Sequence, residues 1–276
     1  MERTRRNASG SRVLFWLLSA VLTVAGCIAW ISLGIQPEVI DWRFILCSAL
    51  LVLPTLATVA AEYWLIGRMN GLEISKLACF KVSLTGTALN LMPIPGQAAA
   101  RVGDLVSRQI PAKVAAKSTL KIALLWCAWS FLTASIAAAA LGNNTLTLVS
   151  LFIAALSFVA SVSFLSYGLS SYRWIAIGSG IELISVTLTA TRLWLVFKGL
   201  NLNLDLTLAF ILSTSNVAAA LVGVVPGGLG LREALAGLIA IFLSVDPVSV
   251  MLVVGITRAV GLVAQGCISI IAIRAR

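Results

Sequence analysis

The feature that most constrains this chain is a succession of apolar runs, each about as long as a bilayer is thick. Two further apolar stretches are broken by proline and glycine, with charged residues just beyond the break. A spanning helix needs roughly 20 mostly apolar residues, and the runs at 13–33, 44–67, 122–141, 146–168, 175–197 and 249–272 meet that length. With 60% hydrophobic and 11% charged residues and a mean hydropathy of +1.03, a soluble domain of this size is excluded. The expected fold is an all-α polytopic membrane protein, a single integral domain over residues 1–276.

The net charge of +10 comes from 20 basic and 10 acidic residues. On a soluble protein it would invite a nucleic-acid partner. Here the basic residues mostly flank apolar runs, so the positive-inside bias accounts for the excess and no nucleic acid is called for. The cysteines, Cys27, Cys47, Cys79, Cys127 and Cys267, lie within or beside apolar runs without a CxxC pair, and histidine is absent from the chain. Neither a disulfide framework nor a His-based metal site is expected. The commonest general base is also missing, so no catalytic residue, metal or cofactor is assigned. Val24-Ala25-Gly26-Cys27 looks like a lipoprotein-processing box, but the apolar run continues through Ile28, Trp30 and Leu33. That exceeds the roughly 7–15 residues of a cleaved signal core, and an uncleaved first helix is the simpler reading.

Charge then sets the topology. Arg3, Arg5, Arg6 and Arg12 hold the N-terminus in the cytoplasm, the loop with Glu38 and Asp41 lies outside, and Arg68 and Lys76 lie inside. The stretch 77–118 breaks at Pro93-Ile94-Pro95-Gly96 and resumes with Arg101, Asp104, Arg108, Lys113 and Lys117. A full crossing would strand those cations outside, so the stretch is expected to be a re-entrant hairpin that returns to the cytoplasm. The stretch 206–243 breaks from Val225 to Gly230 and carries Arg232 and Glu233. Because Arg274 and Arg276 end the last helix inside, this second hairpin should open outward.

Six spans and two hairpins then divide into halves 1–142 and 143–276, each with an odd number of crossings, which is an inverted repeat. Asn90 and Asn216, Gly71-Leu72 and Gly199-Leu200, and Arg101/Asp104 and Arg232/Glu233 are its echoes.

Inside hydrocarbon a Pro/Gly break is tolerated only where protein or trapped water satisfies the backbone, so the breaks point to a cavity. They also expose helix N-termini, whose free N–H groups favour an anion. Gly96, Gly227, Gly228 and Gly230 allow close approach, and a nearby guanidinium offers a fork suited to phosphate. The plainer alternative is that Arg232–Glu233 and Arg101–Asp104 simply offset each other's burial. Of the charges within spans, Glu62 and Arg192 lie near helix ends and can snorkel. Arg258 lies mid-helix, where a charge costs on the order of 2.5–3.5 kcal/mol, and needs Glu233 or Glu182 as its partner. Trp16, Trp30, Trp42, Trp64 and Trp174 fall near span ends as interface anchors.

The segment Val225-Pro226-Gly227-Gly228-Leu229-Gly230-Leu231-Arg232-Glu233-Ala234 resembles the P-x-G-G-x-G-x-R-E-A signature of the lysylphosphatidylglycerol synthase transmembrane-region family. That family includes the flippase domain of the multiple peptide resistance factor. Asn90 to Asp104 is similar to the family's earlier N-x-x-x-P-x-x-x-G-[DE]-x-x-R-like segment, with acid and base in altered order, and Arg258 matches an arginine of the last helix. Lys117 and Lys121 stand where the family often has an acid–arginine pair.

The resemblance implies a flippase-like protein of a prokaryotic inner membrane that moves or binds an anionic phospholipid or polyprenyl-linked lipid. Larger relatives add an aminoacyl-transferase domain, which residues 1–276 do not contain, so lysyl-lipid synthesis by this chain is not expected. Arg101, Asp104, Glu182, Gly227, Gly228, Gly230, Arg232, Glu233, Arg258, Asn90 and Asn216 are the candidate substrate-binding residues. The rival readings are a membrane-embedded lipid-phosphate transferase with Asp104 or Glu233 as base, and a non-catalytic membrane partner of a glycosyltransferase or lipid-modifying enzyme.

Overall fold

The computed structural model describes residues 40–89, 96–163, 170–222 and 230–274. The expected first span at 13–33 and the two breaks, with Asn90, Gly227 and Gly228, lie outside them. The described residues form helices α1 (Trp42–Leu50), α2 (Val52–Met69), α3 (Lys76–Leu89), α4 (Gly96–Ser107) and α5 (Ala112–Ala140). They continue as α6 (Asn144–Ser163), α7 (Ser170–Gly199), α8 (Leu206–Val222), α9 (Leu231–Phe242) and α10 (Pro247–Arg274). Among the described residues, five stretches are long and apolar enough to cross a membrane: Trp42–Met69, Ala112–Ala140, Asn144–Ser163, Tyr172–Gly199 and Pro247–Ile268. By contrast α3, α4 and α9 have 14, 12 and 12 residues, or roughly 18–21 Å of helix against a hydrocarbon core of about 30 Å.

The expected span 44–67 is not one unbroken helix, because it is interrupted at Leu51 between α1 and α2. Pro54 explains this: a proline ring collides with the carbonyl four residues back, here Leu50, and supplies no N–H of its own. Elsewhere the ends are regular. Gly71, Gln109, Gly142, Asn201 and Ser244 have positive φ, and the next residue donates back into the last helical turn. Leu72 N–H to Gly67 O and Leu202 N–H to Phe197 O, each at 2.9 Å, show the pattern. The structural counterpart of Gly71-Leu72 is therefore Asn201-Leu202, two residues beyond the Gly199-Leu200 echo. Gln109 and Ser244 likewise close α4 and α9, and Pro111 and Pro247 follow them at the start of α5 and α10.

Small side chains set how closely the helices pack. On α6, Ser150, Ala154, Ser157 and Ser161 are buried, at the spacing of one helix face. They lie against α5, where Ser157 Oγ donates to Cys127 Sγ at 3.2 Å and Ser161 Oγ to Lys121 O at 3.1 Å. Small residues that let backbones approach are the usual adhesive where no hydrophobic drive exists between helices. The opposite face of α6, with Leu148, Phe152, Leu156 and Val159, is exposed, as a lipid-facing surface should be. At Gly178 an added Cβ would stand 2.9 Å from Leu125 Cδ2 and 3.1 Å from Leu65 Cδ2, so this glycine brings α7 against α2 and α5.

The bundle has two chemically distinct ends. At one, Asp41 N–H donates to Gly199 O at 2.9 Å, and Ala137, Ala138, Ile211, Leu146, Ile239 and Leu243 pack together. This gathers the starts of α1, α6 and α8 with the ends of α5, α7 and α9, and its acids are Asp41, Asp205 and Asp246. At the other end Asn70 Nδ2 donates to Ser118 Oγ at 3.1 Å, placing the end of α2 beside the start of α5. Arg68, Lys76, Arg108, Lys113 and Lys117 belong to that end. Tryptophans mark both: Arg68 lies over Trp64 at 5.6 Å and Lys198 over Trp194 at 5.9 Å.

The α3–α4 pair is held by Gln97, whose Nε2 donates to Ser83 O at 3.0 Å and to Thr87 Oγ1 at 2.8 Å. A Cβ on Gly86 would stand 2.6 Å from Gln97 Oε1 and 3.0 Å from Gln97 Cα. Gly86→Ala is expected to force the pair apart and destabilise the protein by about 1–3 kcal/mol, read as a lower unfolding temperature in detergent micelles. Asp246 caps α10 by accepting from Ser249 N at 2.8 Å. Its hydrogen bonds with the Ser249 side chain and backbone hold its carboxyl below the usual range. The folded-state value is thus depressed, so the cap's contribution is complete above the ordinary aspartate range and is lost as pH falls through the depressed value. Acid unfolding of Asp246→Ala, against wild type, should show a stability difference at neutral pH that closes at the acid end.

Candidate functional site

Among the described residues, the intramembrane charges other than Arg192 form two groups. The first sits where α2, α4 and α7 meet. Glu62 is buried on α2, and Arg101 on α4 reaches it with Nη2 to Oε2 at 2.6 Å, the same nitrogen lying 3.2 Å from Val59 O. Both side chains are nearly closed to solvent. Glu182 stands one helical turn beyond Gly178, on the same face of α7, and lies within electrostatic reach of both Glu62 and Arg101. It has no exposed surface, and neither carboxylate oxygen has a hydrogen-bond partner among the described residues. Beside this group, Asp104 accepts from the Tyr63 hydroxyl and from Arg108 Nε, the latter at 2.7 Å.

Two expectations change here. Asp104 does not pair with Arg101: on a helix the i,i+4 neighbour Arg108 presents itself to Asp104, while Arg101 points to α2. Glu62 does not snorkel to an end but supplies the buried acid that Arg101 needs. Its position six residues before Arg68 suggested the interface, whereas the packing of α4 across that face encloses it.

The second group is built on the first turn of α9 and on α10. Gly230 precedes α9 with φ +77° and no side-chain cap, a conformation costly for any residue with a Cβ. Arg232 and Glu233 occupy the first turn. Arg258, from mid-α10, lies 3.6 Å from Glu233 through Nη1 and Oε1, with side chains only 12% and 13% exposed. Glu233 is thus the acid that meets Arg258, and Glu182 belongs to the first group. Arg232 is partly buried and lies within electrostatic reach of both Arg258 and Glu233. Its Nε and Glu233 Oε2 have no hydrogen-bond partner among the described residues. These three residues carry two cations against one anion, at a helix terminus whose free N–H groups add further positive potential.

Arg192 is the residue that sequence reasoning undervalued most. Its Nε donates to Ser48 O at 3.2 Å and its Nη2 to Thr257 O at 3.4 Å, while Ser48 Oγ donates to Arg192 O at 3.2 Å. One guanidinium therefore ties α7 to α1 and α10. A Cβ on Gly261 would lie 2.9 Å from Arg192 Nη2, so the absence of a side chain there makes room for it. The available signal was an arginine inside an apolar run with no acid three or four residues away. Of the other expected residues, Asn216 is partly buried on α8 and Gly96 is buried at the start of α4.

Long apolar helices enclosing matched charges define a multi-pass helical membrane protein. Residues 166–269 match the family model described as Lysylphosphatidylglycerol synthase TM region, the family that the Pro226–Ala234 signature resembles. The matched segment contains Glu182, Arg192, Arg232, Glu233 and Arg258. A comparison with curated proteins found no match.

Breaking a buried ion pair from one side leaves an uncompensated charge and costs about 3–5 kcal/mol, whereas replacing both partners by apolar residues is often neutral. Arg101→Leu should therefore lower the unfolding temperature markedly, and the double variant Arg101→Leu/Glu62→Leu should recover most of the loss. Equal losses in the two variants, measured in the same detergent, would show that the pair is not the source of the effect.

Proposed function

We propose that this protein binds an anionic, phosphate-bearing lipid, a phospholipid or a polyprenyl-linked lipid, and carries its headgroup between the leaflets of the membrane. The observation that carries this reading is the surplus of positive charge at the start of α9. There, among the described residues, Arg232 and Arg258 face the single acid Glu233, behind a glycine of positive φ that leaves the backbone approachable. A phosphate is the ligand that would balance this charge and accept from both a guanidinium fork and helix N–H groups.

The fold supports a carrier architecture. The start of α8 and the end of α9 cluster with the end of α5 at the acidic end of the bundle. The start of α3 and the end of α4 adjoin, through short connections, the end of α2 and the start of α5 at the basic end. These positions support reading each short pair as a re-entrant hairpin, with the two opening on opposite sides. With the run 13–33 as a sixth span, the halves 1–142 and 143–276 form an inverted repeat, in which rocking of one half against the other gives alternating access. The basic end faces the cytoplasm in this reading, both termini with it, and the membrane is the inner membrane of a prokaryote. The protein works as a carrier and not as an enzyme. A lipid-modifying enzyme or glycosyltransferase that supplies or consumes the lipid is the partner it calls for.

Leaflet exchange of labelled anionic lipids in proteoliposomes tests this. Loss of a charge-assisted contact worth about 1.5–3 kcal/mol predicts that Arg232→Ala moves its lipid roughly tenfold to a hundredfold more slowly at limiting lipid. Failure of the wild-type protein to move any member of a broad panel overturns the reading.

A further inference from the structure

The group at α2, α4 and α7 holds two carboxylates and one guanidinium. Arg101 is committed to Glu62 at 2.6 Å, which leaves Glu182 with no exposure and no hydrogen-bond partner among the described residues for either oxygen. Glu182 lies well inside the stretch Tyr172–Gly199, too far from either end for its short side chain to reach water. The charged groups that face it are Glu62 from α2 and Arg101 from α4. The helices α1, α5, α8 and α10 also pack on α7, and among the described residues they bring no charge to it.

If both acids were ionised, this closed group would carry one uncompensated negative charge. An unpaired buried ion costs several kcal/mol even after relaxation, whereas a neutral acid loses only the hydrogen bonds of a polar group. The arrangement is therefore balanced when one carboxyl holds a proton, and the carboxyl without a cation is Glu182.

We infer that Glu182 binds and releases one proton, and that its ionised form competes with Glu62 for Arg101. In the protonated state Arg101 stays with Glu62 and α4 is held to α2. When the Glu182 O–H bond breaks, the proton passes to a water molecule that enters the group as α4 moves, the electron pair stays on the carboxylate, and Arg101 is drawn toward α7. Asp104, on the same helix as Arg101, remains held by Tyr63 of α2, so α4 turns about that contact. Protonation thus sets the position of the first short helix pair. Under the lipid-carrier reading, on which this consequence rests, a proton gradient drives headgroup movement.

Two measurements separate the parts. Infrared spectra of the purified protein in lipid nanodiscs at neutral pH should contain the C=O stretch of a neutral carboxylic acid. Glu182→Gln, which keeps the shape and neutrality of the protonated side chain, should lose that band, and Glu62→Gln should retain it. A wild-type spectrum without the band, or a band untouched by Glu182→Gln, overturns the proton site. In proteoliposomes an imposed pH gradient should accelerate labelled-lipid movement by wild type and leave the rate of Glu182→Gln unchanged. Equal acceleration of both overturns the coupling. If wild type moves no lipid, the carrier reading fails while the infrared result still decides whether Glu182 holds a proton.

Discussion

A charged side chain held among apolar helices must meet an opposite charge, a carbonyl or a proton, and the arrangement of this protein follows from how each such group meets that demand. Arg101 takes Glu62, Arg258 takes Glu233, and Arg192 takes the carbonyls of Ser48 and Thr257. Every one of these contacts crosses between helices. They orient the bundle in a way that apolar packing, being non-directional, does not. The glycines at 178 and 261 supply the clearance that lets the helices come close enough for the contacts to form.

The two charge groups are opposite in sign. Around Glu182 the acids outnumber the cation, and around Arg232 the cations outnumber the acid. Under the lipid-carrier reading proposed above, an anion suits one group and a proton suits the other. That Glu182 lies on α7 while its neighbours lie on α2 and α4 gives these three helices a shared electrostatic element. A change of charge at that point is felt by all three.

Much of the fold was legible from the sequence. Run length anticipated the existence and approximate place of the five described spans, because hydrocarbon thickness leaves few alternatives. It did not anticipate every end: the helix expected at 122–141 begins at Ala112, so Lys113 and Lys117 belong to it and not to the expected hairpin stretch 77–118. The Arg258–Glu233 contact was legible too, since a mid-helix cation needs an acid and few were available. Distance along the chain misled in other places. Glu62 and Arg192 looked close to helix ends, yet both are enclosed by neighbouring helices. Asp104 looked like the partner of Arg101, three residues away, but helix geometry offered it Arg108, and Tyr63 reached it from α2. The interruption at Leu51 follows from Pro54, a local signal hidden inside an otherwise continuous apolar run.

What the sequence determined by itself is the solvent and the helical class: a lipid-embedded helical chain with the approximate positions of its five described spans, and the match of residues 166–269 to the Lysylphosphatidylglycerol synthase TM region. These properties depend on composition, periodicity and local chain chemistry, all of which can be read in order along the chain. Only the tertiary structure decided which charges meet. Glu62 and Arg101 are 39 residues apart, and Ser48 and Arg192 are 144 apart. At such separations the pairing is set by which helix faces are brought together, and that depends on side-chain packing around the whole bundle.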